Sequence, residues 1–374
     1  MGGTVALVAG LLAGAGTPAW ADATRDAQWP LSFLNIAEAH RISQGEGVIV
    51  AVLDTGVDPT QPDLTGSVLP GLDAVTTAGD GHTDASGHGT SMAALIAGHG
   101  HGQGNADGLL GIAPKAKILP VTVWPPGTMS LRPKDVAAGI RWSVDHGAQV
   151  INISGGGMSN PVLEQAIDYA MSKNVVVIAA IGNSSTEPGP GYPGAYLDVI
   201  GVSAIDQTGN FDPAVSVQGV SVDLAAPGTR VVNPKDAKTY ETTSGTSISS
   251  AMVSGVAALV KSRFPTLDAK QLIERLKVTA IDKGTPGRDR LYGWGIVDPV
   301  GALTKDVPGA NGSPSAKAAD ATSKDAGADS DGGTGTTNKA LIGVAIAGGF
   351  VVVVTVMAVS LIGLSRRRRR FPPG

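Results

Sequence analysis

The chain has 374 residues, of which 42% are hydrophobic and 16% charged, with 52 glycines, 24 prolines and no cysteine. That leaves room for one large or two ordinary domains, and with aromatics at only 4% the core must be built from Ala, Val, Ile and Leu, which suits an α/β protein better than a helical bundle. A net charge of −4 gives no electrostatic case for a nucleic-acid binder, and a cysteine-free body has to hold together without disulfides wherever it is exported.

Residues 1–21 carry no side-chain charge, are rich in Ala, Gly, Leu and Val, and end in Ala19-Trp20-Ala21, the small-x-small pattern of a signal peptidase site. They read as a signal peptide whose removal leaves Asp22 first, with an uncleaved N-terminal anchor as the alternative. The next stretch, Asp22 to Gln44, is too short for an independent prodomain and is expected to wrap the body that follows. Short, mostly β-branched runs then give strand candidates at Val48–Leu53, Lys117–Val123, Val150–Ile153, Val175–Ala180 and Val199–Ser203. Between or after them, Ser91–Ala97, Pro133–His146, Pro161–Lys173 and Ser247–Phe264 show small and apolar residues at helical spacing. This order is that of a doubly wound parallel sheet flanked by helices, whose ligand crevice lies beyond the carboxyl ends of the strands.

The folded unit is expected to span residues 22–306. Beyond it, Val307–Lys339 is rich in Gly, Ala, Ser, Thr, Asp and Lys and reads as a disordered linker that buries too little surface to offset its ordering entropy. Ala340–Leu364 is uncharged over 25 residues, roughly 37 Å as a helix against a hydrocarbon core of about 30 Å, and predicts one transmembrane helix. Arg366–Arg370 make residues 365–374 a basic tail on the cytoplasmic side, with the acidic body outside.

Three residues at element ends could carry chemistry. Asp54 follows the first strand in LDTGVD, where position alone favours a turn or cap residue over a functional acid. His88 stands between Gly87 and Gly89 before a small-residue helix, so the backbone can approach closely around the imidazole. Ser247 enters a strongly apolar helix after a Gly-containing turn, and taken alone is an N-cap more readily than a nucleophile. Together they change weight, because a hydroxyl nucleophile needs a neutral imidazole to take its proton and a carboxylate to fix the imidazole's tautomer. Asn183, at another strand end in GNSS, is either a turn residue or an amide donor to an oxyanion.

The motifs DTG at Asp54, GHGT at His88, GN at Asn183 and GTS at Ser247, in that order, resemble those of the subtilisin-like serine proteases over about Gly45–Val300. RDAQWPLSFL at residues 25–34, the linker, the single C-terminal helix and the arginine tail are similar to those of the mycosins, the membrane-anchored subtilases of type VII secretion. The resemblance implies a membrane-anchored serine endopeptidase acting on protein or peptide substrates beside a secretion membrane complex. It implies no cofactor. A second reading makes the domain mainly a stabiliser of that complex. The resemblance also makes Ser154, Gly155 and Gly156 in INISGGG an edge that pairs with an extended substrate, whereas the residues alone allow a flexible loop. Two departures stand out: Ala251 occupies the place of a usual proline four residues after Ser247, which would loosen that turn, and the cysteines common in mycosins are missing. His99 and His101 in GHGHGQG lack nearby ligands and are expected to be solvent-exposed rather than metal-binding. No run of carboxylates marks a calcium site, so no metal is expected.

Overall fold

The computed structural model describes residues 23–125, 128 and 131–310, all within one compact unit spanning residues 1–327. The expected signal peptide, most of the linker, the transmembrane segment and the basic tail lie outside the described residues. Among the described residues no helix is long and apolar enough to cross a membrane.

Seven strands form one sheet: β1 (Ile49–Asp54), β2 (Leu72–Asp73), β5 (Lys117–Thr122), β6 (Val150–Ile153), β7 (Val176–Ala180), β8 (Val199–Ile205) and β9 (Leu224–Pro227). Their order is β2-β5-β1-β6-β7-β8-β9 and every neighbouring pair is parallel. All five strand candidates are present within a residue or two. Two antiparallel hairpins stand apart, β3 (His99–His101) with β4 (Asp107–Leu110), and β10 (Val231–Pro234) with β11 (Tyr240–Thr243).

Helices α1 (Ala23–Asp26), α2 (Trp29–Phe33) and α3 (Ile36–Ile42) precede the sheet, and α4 (His88–Ala97), α5 (Pro133–Asp145), α6 (Pro161–Ser172), α7 (Thr246–Arg263), α8 (Ala269–Thr279) and α9 (Pro299–Thr304) follow β2 in the chain. One apolar layer joins one face of the sheet to α4 and α7, and another joins the opposite face to α5 and α6. This two-sided cover explains why the strands read as unbroken apolar runs. The two kinds of helix also differ. α5 and α6 keep a polar outer face, whereas α7 is buried from Ile248 to Val260, as expected of a helix apolar all round.

The folded body continues past the expected boundary at Asp306. Val307 and Ala310, assigned by composition to the linker, are buried in the core. The cause lies in α8: buried Arg275 donates to the carbonyls of Ala302, Lys305 and Ala310, so a guanidinium that must be satisfied inside the protein holds residues 302–310 against the body.

Candidate active site

The chain leaves β1 at the sheet centre, runs to β5 on one side and returns to β6 on the other, so the strand order reverses around β1. The crevice beyond the carboxyl ends at such a reversal is where open α/β sheets bind ligands. Asp54 ends β1, Ser154 follows β6 directly, and Asn183 lies three residues past β7.

Asp54 is fully buried and its Oδ1 accepts from the Thr55 N–H at 2.8 Å and from His88 Nδ1 at 2.7 Å. Because a carboxylate only accepts, Nδ1 carries the proton and Nε2 keeps its lone pair. Oδ2 is buried without a hydrogen-bond donor among the described residues, so the charge is compensated mainly through the imidazole. His88 opens α4. Gly87 supplies the turn before it at φ 78°, and Gly89 lets the helix come so close that a β-carbon there would run into the Gly56 carbonyl. The imidazole side chain is 39% exposed. Burial of the ring works against its charged form, but the Asp54 charge, the Asp54 hydrogen bond and the charge of Asp84 outweigh that and raise its pKa above the ordinary 6.5.

Asp84 is a site residue that the motifs did not single out. Its carboxylate accepts from the Gly87 and Thr90 N–H groups and from the Thr55 and Thr90 hydroxyls, tying the start of α4 to the end of β1. The available signal was an acidic residue just before a helix start.

Ser247 is the second residue of α7, at the positive end of a helix anchored in the core. Its Oγ donates to the Ser154 carbonyl at 3.0 Å, and no hydrogen bond joins it to His88, although both line one cleft. Below it, buried hydroxyls bind α7 to β6. Ser154 Oγ meets Asn152 Nδ2, Ser250 Oγ and the Ser247 carbonyl at 2.9–3.1 Å, and Ser254 donates to Asn152. Ser250 also donates to the Ser247 carbonyl at 2.9 Å. α7 runs unbroken through the fully buried Ala251, and two hydroxyls donate to the Ser247 carbonyl.

Asn183 Oδ1 accepts from the Thr246 N–H at 2.9 Å and its hydroxyl at 3.0 Å. An N–H can only donate, which fixes the amide orientation and leaves Nδ2 as a donor at the cleft wall. Across the cleft, the backbone groups of Gly155 and Gly156 bond to no other described group, while the Ser154 side chain is committed to the network beneath. The cleft holds about 1450 Å³, more than the roughly 300–1,000 Å³ of small-ligand pockets and enough for several residues of a polypeptide.

Elsewhere, His99 and His101 are not simply solvated. Both ring nitrogens of His99 face carbonyls, of Gly100 and Thr65, and His101 Nδ1 lies 2.7 Å from the buried Asp63, which also accepts from Tyr240 and Gln61. The spacing that looked like an exposed Gly-His repeat is a strand, β3, whose short pleat turns both rings onto the body. Among the described residues no three His, Asp or Glu side chains converge as a metal site requires.

Fold and cleft together define a serine endopeptidase. Residues 45–295 match the family model described as "Subtilase family", and the chain belongs to that family. It is 37% identical over 272 residues to the thermostable alkaline protease of Halalkalibacterium halodurans, covering 72% of this chain and 71% of that one. It is 35% identical over 342 residues to Mycosin-1 of Mycobacterium tuberculosis, 76% of this chain and 74% of that one. Among solved structures, MycP1 from the ESX-1 type VII secretion system superposes with a TM-score of 0.66 at 32% identity, covering 78% of this chain and 89% of that one. The chain is thus a mycosin-type subtilisin-like protease.

Proposed function

We propose that the chain is a membrane-anchored serine endopeptidase that cuts peptide bonds outside the cytoplasm through Asp54, His88 and Ser247, beside a type VII secretion complex. The observation that carries the catalytic part is the 2.7 Å Asp54–His88 contact in a cleft shared with Ser247 and the Asn183 amide. As substrate enters, the Ser247 hydroxyl turns from the Ser154 carbonyl to His88, since the hydrogen bonds of such sites commonly tighten only once substrate is bound. Nε2 takes the hydroxyl proton while Oγ attacks the scissile carbonyl carbon. The carbonyl oxygen gains the negative charge and is held by Asn183 Nδ2 and the Ser247 N–H at the start of α7. The C–N bond then breaks, His88 passes the proton to the leaving amine, and water repeats the sequence in reverse to free the acyl group. The main chain of the substrate lies along Ser154–Gly156, where the unpaired backbone groups of Gly155 and Gly156 suit strand addition.

Anchoring rests on the uncharged segment Ala340–Leu364 followed by five arginines, a pattern that supports a cytoplasmic C-terminus with the protease domain outside. The secretion link rests on likeness to MycP1, described as part of a type VII secretion system. Purified full chain should react with a fluorophosphonate probe and Ser247→Ala should not. Equal labelling of the two removes Ser247 as nucleophile.

A further inference from the structure

One charged side chain in the cleft has no part in the mechanism above. After β7 the chain folds back, with the Thr186 and Glu187 N–H groups both donating to the Asn183 carbonyl at 3.1 and 2.9 Å. The turn carries Glu187 behind Gly182, and its carboxylate lies among Gly156, Gly182 and Gly191. A β-carbon would stand 2.8 Å from it at Gly156 and 2.5 Å at Gly182, so the three glycines make the space that the carboxylate occupies.

This carboxylate is half-buried, accepts no hydrogen bond from any described residue, and forms no ion pair. Burial pushes its pKa above the ordinary carboxylate range, and no basic side chain counters the effect. No described residue donates to it, which leaves its lone pairs open to a group entering the cleft that it lines. Here the walls are glycines, with Pro190 and Tyr192 further along the cleft.

The location follows from the proposed substrate pose, on which this inference rests. A residue whose carbonyl sits at Asn183 Nδ2 and whose main chain runs beside Ser154–Gly156 has its side chain between Gly156 and Gly182. Those are two of the three glycines around the Glu187 carboxylate. A side chain entering there meets glycine walls and an unpartnered carboxylate, a setting complemented by an apolar stem with a cationic tip, as in lysine and arginine. We propose that Glu187 sets specificity at the residue contributing the scissile carbonyl, selecting lysine or arginine by a charge-assisted hydrogen bond to its carboxylate.

The test uses peptides that differ only at that residue: lysine, arginine, uncharged norleucine and glutamate. A charge-assisted bond should favour lysine and arginine over norleucine by about ten- to a hundredfold in kcat/KM with the unaltered enzyme. Glu187→Gln should reduce that ratio to within about threefold, and Glu187→Lys should reverse it in favour of glutamate. No preference for lysine or arginine, or a ratio untouched by Glu187→Gln, overturns the assignment. The same comparison is made by calorimetry with Ser247→Ala protein and product peptides ending in lysine or norleucine. This binding requires no turnover, so a missing lysine preference is a failure of the Glu187 pocket, whereas a missing fluorophosphonate adduct is a failure of the nucleophile.

Discussion

Asn183 does two separable things, and replacing it in two ways tells them apart. Its Oδ1 holds the Thr246 N–H and hydroxyl at the start of α7, while Nδ2 is the donor proposed for the oxyanion. Asn183→Ala removes both functions. Loss of one oxyanion donor is typically worth about 3 kcal/mol, on the order of a hundredfold or more in kcat with little change in KM, because the donor is aimed at the transition state. Loss of the two Thr246 bonds costs about a further 1–2 kcal/mol of stability, a few degrees in Tm for a domain of this size. Asn183→Asp keeps an acceptor for Thr246 and so should hold its Tm. It also replaces the donor by a negative oxygen facing the developing charge, so its kcat should fall at least as far as that of the alanine variant. Steady-state hydrolysis of one peptide, with a thermal melt of each protein, reads both quantities. Asn183→Ala turnover within about threefold of the unaltered enzyme, against the hundredfold expected of a lost donor, would refute the oxyanion role and leave Asn183 as a cap for α7.

Activity should rise with pH as His88 loses its proton, with a midpoint above the ordinary 6.5 because Asp54 and Asp84 raise its pKa; a flat kcat/KM profile from acid to alkali would exclude a histidine base. The same raised pKa means the His88–Asp54 ion pair stabilises the fold fully below the unfolded histidine pKa and loses that contribution as pH climbs through the folded value, so His88→Ala should flatten part of the pH dependence of Tm. Gly89→Ala, which drives a β-carbon into the Gly56 carbonyl, should displace α4, cost about 1–3 kcal/mol in a melt and lower kcat by moving the imidazole. Protease added to wall-stripped cells should release a soluble, active domain ending near Ala310; protection until lysis would reverse the proposed topology.

Much of the fold was legible because its signals are local. Five buried strands announced themselves as β-branched runs, and the helix α7 as an apolar segment following GTS. What escaped was set by partners distant in sequence. Strand β9, LAAP, is too small and too short to stand out, and becomes a strand because β8 offers it an open parallel edge. The helix α8 has a complete capping box at Asp268 and Gln271, but the apolar stripe behind it is thin, so its helical pattern is weak in the sequence. Asp54, His88 and Ser247 of the proposed triad were visible at their turns, yet Asp84 and Glu187 were not, since each takes its meaning from where a loop folds back in space. The buried hydroxyls of Ser250 and Ser254 looked like ordinary small residues, and Ser154 like part of a substrate edge alone, until the packing of α7 on β6 made them one network.

The segment before the sheet shows how the same backbone chemistry separates stabilisation from inhibition. Arg25 Nε donates to the Gly108 carbonyl, the Trp29 indole to that of Arg230, and Gln28 makes a matched pair with Leu110, its Nε2 on the carbonyl and its Oε1 on the N–H, both at 2.9 Å. Gln28 is buried and imitates an added strand residue at the free edge of β4. No described residue of this segment lines the cleft, so the contacts fasten the outer hairpin instead of shielding Ser247. Gln28→Ala leaves the Leu110 N–H and carbonyl without partners at a cost of about 2 kcal/mol, which for a domain of this size lowers Tm by about 3 °C. Fluorophosphonate labelling and kcat/KM should stay unchanged below the new Tm. A rise in activity with Tm unmoved would mean that the segment restrains the active site, and the reading of residues 23–42 as a clasp would have to be given up.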